Sequence, residues 1–153
     1  MEKHFLARIA GLLFIAVTMF VLAACGSEET VTYQAEENGI SITLTYTAEG
    51  DNVVKQVSES EIEYSALGVT TKEEAEELLA PLVEEYQNIN GLTHEIDYQD
   101  DKVVEKVTVD YNEADASEIA ELEGSMFEGD PTEGISLEKS IELIESQGFE
   151  KVE

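Results

Sequence analysis

The sequence predicts an α+β fold, an antiparallel β-sheet with helices packed on one face. Three observations predict it. The stretch "GISITLTYT" alternates strictly, with Ile40, Ile42, Leu44 and Tyr46 on one side and Ser41, Thr43, Thr45 and Thr47 on the other. Period two of this kind is a strand with one buried face. The stretch "LTHEIDYQDDKVVEKVTVDY" repeats the pattern, with Leu92, His94, Ile96 and Tyr98 in the places of Ile40, Ile42, Leu44 and Tyr46. Each of the two hairpins is followed by residues at helical spacing, and strands paired locally with helices on one side make a two-layer domain.

The elements follow in order. A short strand is expected at Val31 to Ala35, ahead of the strand that begins at Ile40. "AEGDN" is a turn, and Val53 to Tyr64 return as the next strand. In "TTKEEAEELLAPLVEEYQNING", Thr71 and Glu74 stand at capping-box spacing. Ala75, Leu78, Leu79, Leu82, Val83 and Tyr86 form one apolar stripe of that helix, and Asn90-Gly91 ends it. Pro81 removes a backbone donor, so it should kink the helix or split it near Ala80.

After the second hairpin, "DASEIAELEG" is helical, with Asp115 and Glu118 at box spacing. "SLEKSIELIESQGF" is a helix capped by Ser136, ended by Gly148, and buried along Leu137, Ile141 and Ile144. "FEKV" adds a last short strand. Hairpin then helix therefore occurs twice, which reads as an internal duplication.

Before all this stands a different kind of segment. Lys3 and Arg8 precede the uncharged run Ile9 to Ala24, too short for the roughly 20 apolar residues of a spanning helix. A basic start, a short apolar middle and small residues at the exit describe a secretory signal. The exit, Leu22-Ala23-Ala24-Cys25, resembles the lipobox of bacterial lipoproteins. That resemblance implies cleavage between Ala24 and Cys25, diacylglycerol on the Cys25 thiol, and often acylation of the new amine. Two or more acyl chains make a stable anchor where one alone does not. The expected organisation is a signal peptide at 1–24, lipidated Cys25 with a short tether at 25–30, and one α+β domain at 31–153. The expected location is the extracytoplasmic face of the cell membrane.

Composition narrows the partners. Residues 1–24 carry Glu2, Lys3 and Arg8, so the remaining 129 residues hold a net charge of −28 against −27 for the whole chain. They contain no arginine and six lysines, Lys55, Lys72, Lys102, Lys106, Lys139 and Lys151. Nucleic acid is a poor partner for such a surface, because phosphates call for cations. An anionic bilayer repels the body as well, leaving the lipid to hold it. With Cys25 lipidated no thiol remains, so neither a disulfide nor a cysteine metal site is available.

Taken together, the lipobox, the two hairpin–helix units and the ending "GISLEKSIELIESQGFEKV" resemble the small YehR-like lipoproteins of bacteria. The resemblance spans nearly the whole chain. It implies an α+β fold and a lipid-anchored location; it brings no reaction and no catalytic motif.

The search for chemistry is correspondingly thin. His94 is the only histidine after the signal and lies on the apolar strand face, where a structural histidine, hydrogen-bonded in the core or at its edge, is expected. No Gly-x-Ser-x-Gly elbow and no phosphate-binding glycine loop occurs. The acidic turns "DYQDD" (Asp97 to Asp101) and "EGDPTEG" (Glu128 to Gly134) are oxygen-rich but do not fit an EF-hand loop. Met126 and Phe127 are expected to plug the sheet edge or the core between two helices, with an exposed anchor for a partner as the alternative, and Tyr46, Tyr98 and Tyr111 to be core aromatics with hydroxyls at the rim.

The expectation is a monomeric, lipid-anchored binding or interaction module, not an enzyme, with no cofactor and no resident metal. A divalent-cation or small-ligand carrier is the alternative, and an envelope hydrolase ranks last.

Overall fold

The structure, a computed structural model, describes residues 27–122 and 133–152. Among these residues ten elements follow one another. Strands β1 (Glu28–Glu37), β2 (Ile40–Glu49) and β3 (Asn52–Glu63) lead into helices α1 (Tyr64–Leu67) and α2 (Lys72–Tyr86). Strands β4 (Leu92–Tyr98) and β5 (Lys102–Asp110) precede α3 (Ala116–Ala120), α4 (Leu137–Ser146) and β6 (Glu150–Lys151). The strands form one antiparallel sheet in the order β4-β5-β3-β2-β1-β6. The predicted α+β architecture is what the chain adopts.

Local chemistry sets the register. Asn38 and Gly39 both take positive φ, 52° and 82°, between the paired residues Glu37 and Ile40. Two positive φ values in a two-residue loop match the twist of the flanking strands, and Asn-Gly is the pair that adopts them at least cost. Gly50 (φ 65°) and Asp51 make the next tight turn, between Glu49 and Asn52. β3 then carries a bulge: Lys55 pairs with Thr47 but Val53 pairs with Ala48, leaving Val54 extra. The bulge shifts the alternation, so both Val53 and Val54 are buried.

The helix side of the sheet holds two separate cores. In the first, Leu137, Ile144 and Phe149 pack on Val31, Tyr33, Leu44, Tyr46, Ala48 and Val53, with Ile141 beside them. Burying Ile144 completely is worth about 2–3 kcal/mol. The second joins Tyr64, Ala75 and Val103 to Leu67, Val69, Leu79, Ile96 and Tyr98. α4 thus covers β1 and β2, and α2 covers β4 and β5.

Several expectations need correction. β1 starts at Glu28, so it takes in three residues read as tether, and it runs on to Glu37. β3 stops at Glu63, where Tyr64 opens a short helix not foreseen. Pro81 does not split α2. Its missing N–H removes the usual helical donor to the Glu77 carbonyl, at a point where both residues are exposed. The apolar stripe of α2 is narrower than its sequence suggests: only Ala75 is buried, and Leu78 is 50% exposed. The caps at Thr71, Asp115 and Ser136 form as expected, Thr71 in a complete box with Glu74. The duplication is not established by the fold. Between hairpin and long helix the first unit has the four-residue α1 and residues 68–71, whereas the second has the five-residue α3 and residues 121–136.

Candidate functional site

Cys25 and Ala24, the residues of the expected processing and lipidation site, lie outside the described residues, as do Met126 and Phe127 and most of the acidic loop after Gly124. The other singled-out residues are placed. His94 among them lies on a polar band between the two cores.

The band arises from register. On the helix side, Gln56 lies opposite Val109, Ser58 opposite Val107 and Ser60 opposite Glu105. Next door, His94 pairs with Val107 and Ile96 with Glu105. Polar residues thus occupy core-facing positions on the central strand β3 and on β5. Ser60 is 9% exposed, and the side chains of His94 and Glu105 are 7% and 15% exposed.

His94 Nε2 and Glu105 Oε1 are 2.7 Å apart, a diagonal pair across β4 and β5. Tyr86, from the end of α2, meets the imidazole edge-on with centroids 5.0 Å apart. The structural histidine expected from its strand face is therefore found, bound to a buried carboxylate. A base needs a nucleophile or a bound substrate to work on. His94 and Glu105 are a largely buried pair, with no serine, threonine or cysteine hydrogen-bonded to them among the described residues.

The tyrosines depart from expectation at one point. Tyr46 is 1% exposed and its hydroxyl, instead of reaching the rim, is buried without a hydrogen-bond partner among the described residues. Burial pushes this phenol up to about 12. Tyr111 donates to Gln56 Oε1 at 2.9 Å, and burial, with Tyr46 nearby, raises it further still.

The acidic turn of the second hairpin is tied down internally. Gln99 N–H donates to the Lys102 carbonyl at 2.9 Å, and the Gln99 side chain donates to Asp97 Oδ2 at 3.1 Å. Among the described residues no group of three or more histidine, cysteine, aspartate or glutamate side chains is placed to hold a metal ion.

The opposite sheet face carries no helix among the described residues. Thr32 and Thr45 share a 3.1 Å hydrogen bond, and Lys102–Glu61 (2.6 Å) and Lys106–Glu59 (2.8 Å) pair across strands. The hydrogen bond from each lysine to its glutamate raises that lysine above its ordinary value. Such exposed pairs add little stability. A shallow apolar notch opens at the Asn38–Gly39 end, lined by Ala35, Ile40, Ile42 and Phe149 and edged by Glu37 and Gln147.

Residues 29–150 match the model of a family described as a protein of unknown function, DUF1307. The chain belongs to this family. A relative from Listeria monocytogenes, "Uncharacterized lipoprotein Lmo0207", is 40% identical over 148 residues, covering 96% of this chain and 97% of its own. "Uncharacterized lipoprotein YehR" from Escherichia coli is 34% identical over 147 residues, covering 95% and 96%. The NMR structure of Escherichia coli YehR superposes with a TM-score of 0.71 over 82% of this chain and 91% of that one. The family's fold and the fold described above are therefore one, as the YehR-like resemblance implied.

Proposed function

We propose that the chain is a lipid-anchored extracytoplasmic domain, held by diacylglycerol on Cys25 after cleavage behind Ala24, that serves the cell envelope as a binding or interaction module and not as an enzyme. One observation carries the anchoring. The alignment with the Listeria relative covers 96% of this chain, so it takes in Leu22 to Cys25, and that relative is named an uncharacterized lipoprotein. The negative body agrees with this reading, since it has no electrostatic reason to stay at an anionic membrane without its lipid.

The binding role rests on what the surface offers. The buried histidine has a structural partner, and the polar groups of the hairpin turns bond one another. A sheet face that carries no helix among the described residues and an apolar notch remain as places for a partner. For the cation-carrier alternative, Asp97 Oδ2 in the described acidic turn already accepts from the Gln99 side chain at 3.1 Å.

The test is fractionation of the producing bacterium. The native chain should sediment with membranes, and Cys25→Ala should appear uncleaved or in the soluble extracytoplasmic fraction. Photo-cross-linkers on the open sheet face and at the notch should then capture a discrete partner; a pattern without discrete products counts against an interaction role.

A further inference from the structure

Strand β1 begins close to the expected anchor. Only Gly26 and Ser27 separate Cys25 from Glu28, where β1 begins, so the sheet starts within about 11 Å of the anchored residue. Glu28 is not a loose end. It is paired with Glu49, and the pairing continues without a break to Glu37 and Ile40. The ten residues of β1 carry the chain about 30 Å away from the anchor before it turns at Asn38–Gly39.

Two further observations select an upright stance over a reclining one. The body carries a net −28, so laying any broad face against anionic headgroups is opposed. Among the described residues only Leu78 and Val152 are large, apolar and exposed, and they lie on different elements, so no patch invites insertion.

We propose, on the reading that Cys25 is lipid-anchored, that the domain stands with its β1–β2 strands near the membrane normal. The end bearing Glu28, Glu49, Asp51 and Ser136 then faces the bilayer. The opposite end, with the Asn38–Gly39 turn, the Asp100–Asp101 turn and the apolar notch, points away from it. The stance decides which surface a partner can reach: the far end is open, while the near end lies within a few ångströms of headgroups.

The test uses the full lipidated chain, purified in detergent and reconstituted into phosphatidylglycerol–phosphatidylcholine vesicles carrying headgroup spin labels. Because lipid occupies the Cys25 thiol, a fluorophore can be placed on Glu49→Cys, opposite Glu28, or on Asp100→Cys at the far turn. The Glu49 label should lose most of its emission to the spin labels and the Asp100 label should keep its own. Inserting twelve Gly/Ser residues between Gly26 and Ser27 should erase the difference. Vesicle-bound protein with equal quenching at both positions, or stronger quenching at Asp100, overturns the orientation alone. Protein that fails to co-float with vesicles overturns the anchoring and the orientation with it.

Discussion

Ser136 Oγ donates a 2.7 Å hydrogen bond to Asp51 Oδ2 across 85 residues of sequence. The same carboxylate accepts from the Glu138 N–H at 2.9 Å, while the Leu137 N–H donates to the Asp51 carbonyl at 2.8 Å. A turn between two strands thus caps the helix that closes the larger core. The Glu138 N–H foremost, then the Ser136 hydroxyl, hold the Asp51 carboxyl below its ordinary 3.8.

A carboxylate held low when folded and released when unfolded stabilises the fold above its unfolded value, and that contribution is lost as pH falls through the folded value. Asp51 and Glu74 both belong to this class, Glu74 chiefly through the Thr70 N–H and hydroxyl. The melting temperature of residues 26–153 should therefore drop from about pH 5 downward. Asp51→Ala should lower it at pH 7 and make the acid decline shallower. Melts at half-unit pH steps check both; parallel curves for the two proteins would show that Asp51 is not a source of the decline.

Tyr46 offers a prediction of opposite sign. A buried hydroxyl without a partner costs about 1–3 kcal/mol, so Tyr46→Phe should stabilise the domain by about 1 kcal/mol in urea denaturation. Burial raises its phenol from 10.0 to about 12, so stability is unaffected by this group below pH 10 and falls as pH rises from 10 towards 12, where the unfolded phenol ionises and the folded one does not. Tyr33, Tyr64, Tyr98 and Tyr111 are raised too. Alkaline absorbance titration should show the late phenols ionising together with unfolding.

The His94–Glu105 pair calls for a double-mutant cycle. Removing either partner strands the other in a largely buried site, so His94→Leu and Glu105→Leu should each cost about 3 kcal/mol. The double variant should cost clearly less than the two together, because no unpaired polar group is left. Additive losses would mean that the two side chains do not support one another.

The negative surface separates screening from binding. Sodium and calcium chloride at matched ionic strength should raise the melting temperature of residues 26–153 equally, by screening 28 net negative charges. An additional, saturable rise in calcium would reveal a specific site, since a ligand bound only to the native state stabilises by mass action.

Much of the architecture was legible because its signals are local. The alternation at Ile40–Tyr46 and Leu92–Tyr98, the Thr71–Glu74 box and the Ser136 cap all lie within a few residues of what they specify. The full length of β1 was less legible, since acidic residues flank its few apolar ones; the Asn38-Gly39 pair was the available signal. The partner of His94 depended on strand register. The clue was Glu105, which interrupts the core-facing row Val103, Val107 and Val109. The isolation of the Tyr46 hydroxyl and the Asp51–Ser136 bridge arise from tertiary packing alone, and no pattern along the chain announces them.

The measurement that bears most directly on the account is mass spectrometry of the chain isolated from its own membranes. The N-terminal peptide should begin at Cys25 and carry diacylglycerol on the thiol, and Cys25→Ala should lose that modification. A chain that retains residues 1–24, or that begins at Cys25 with a free thiol, would contradict it.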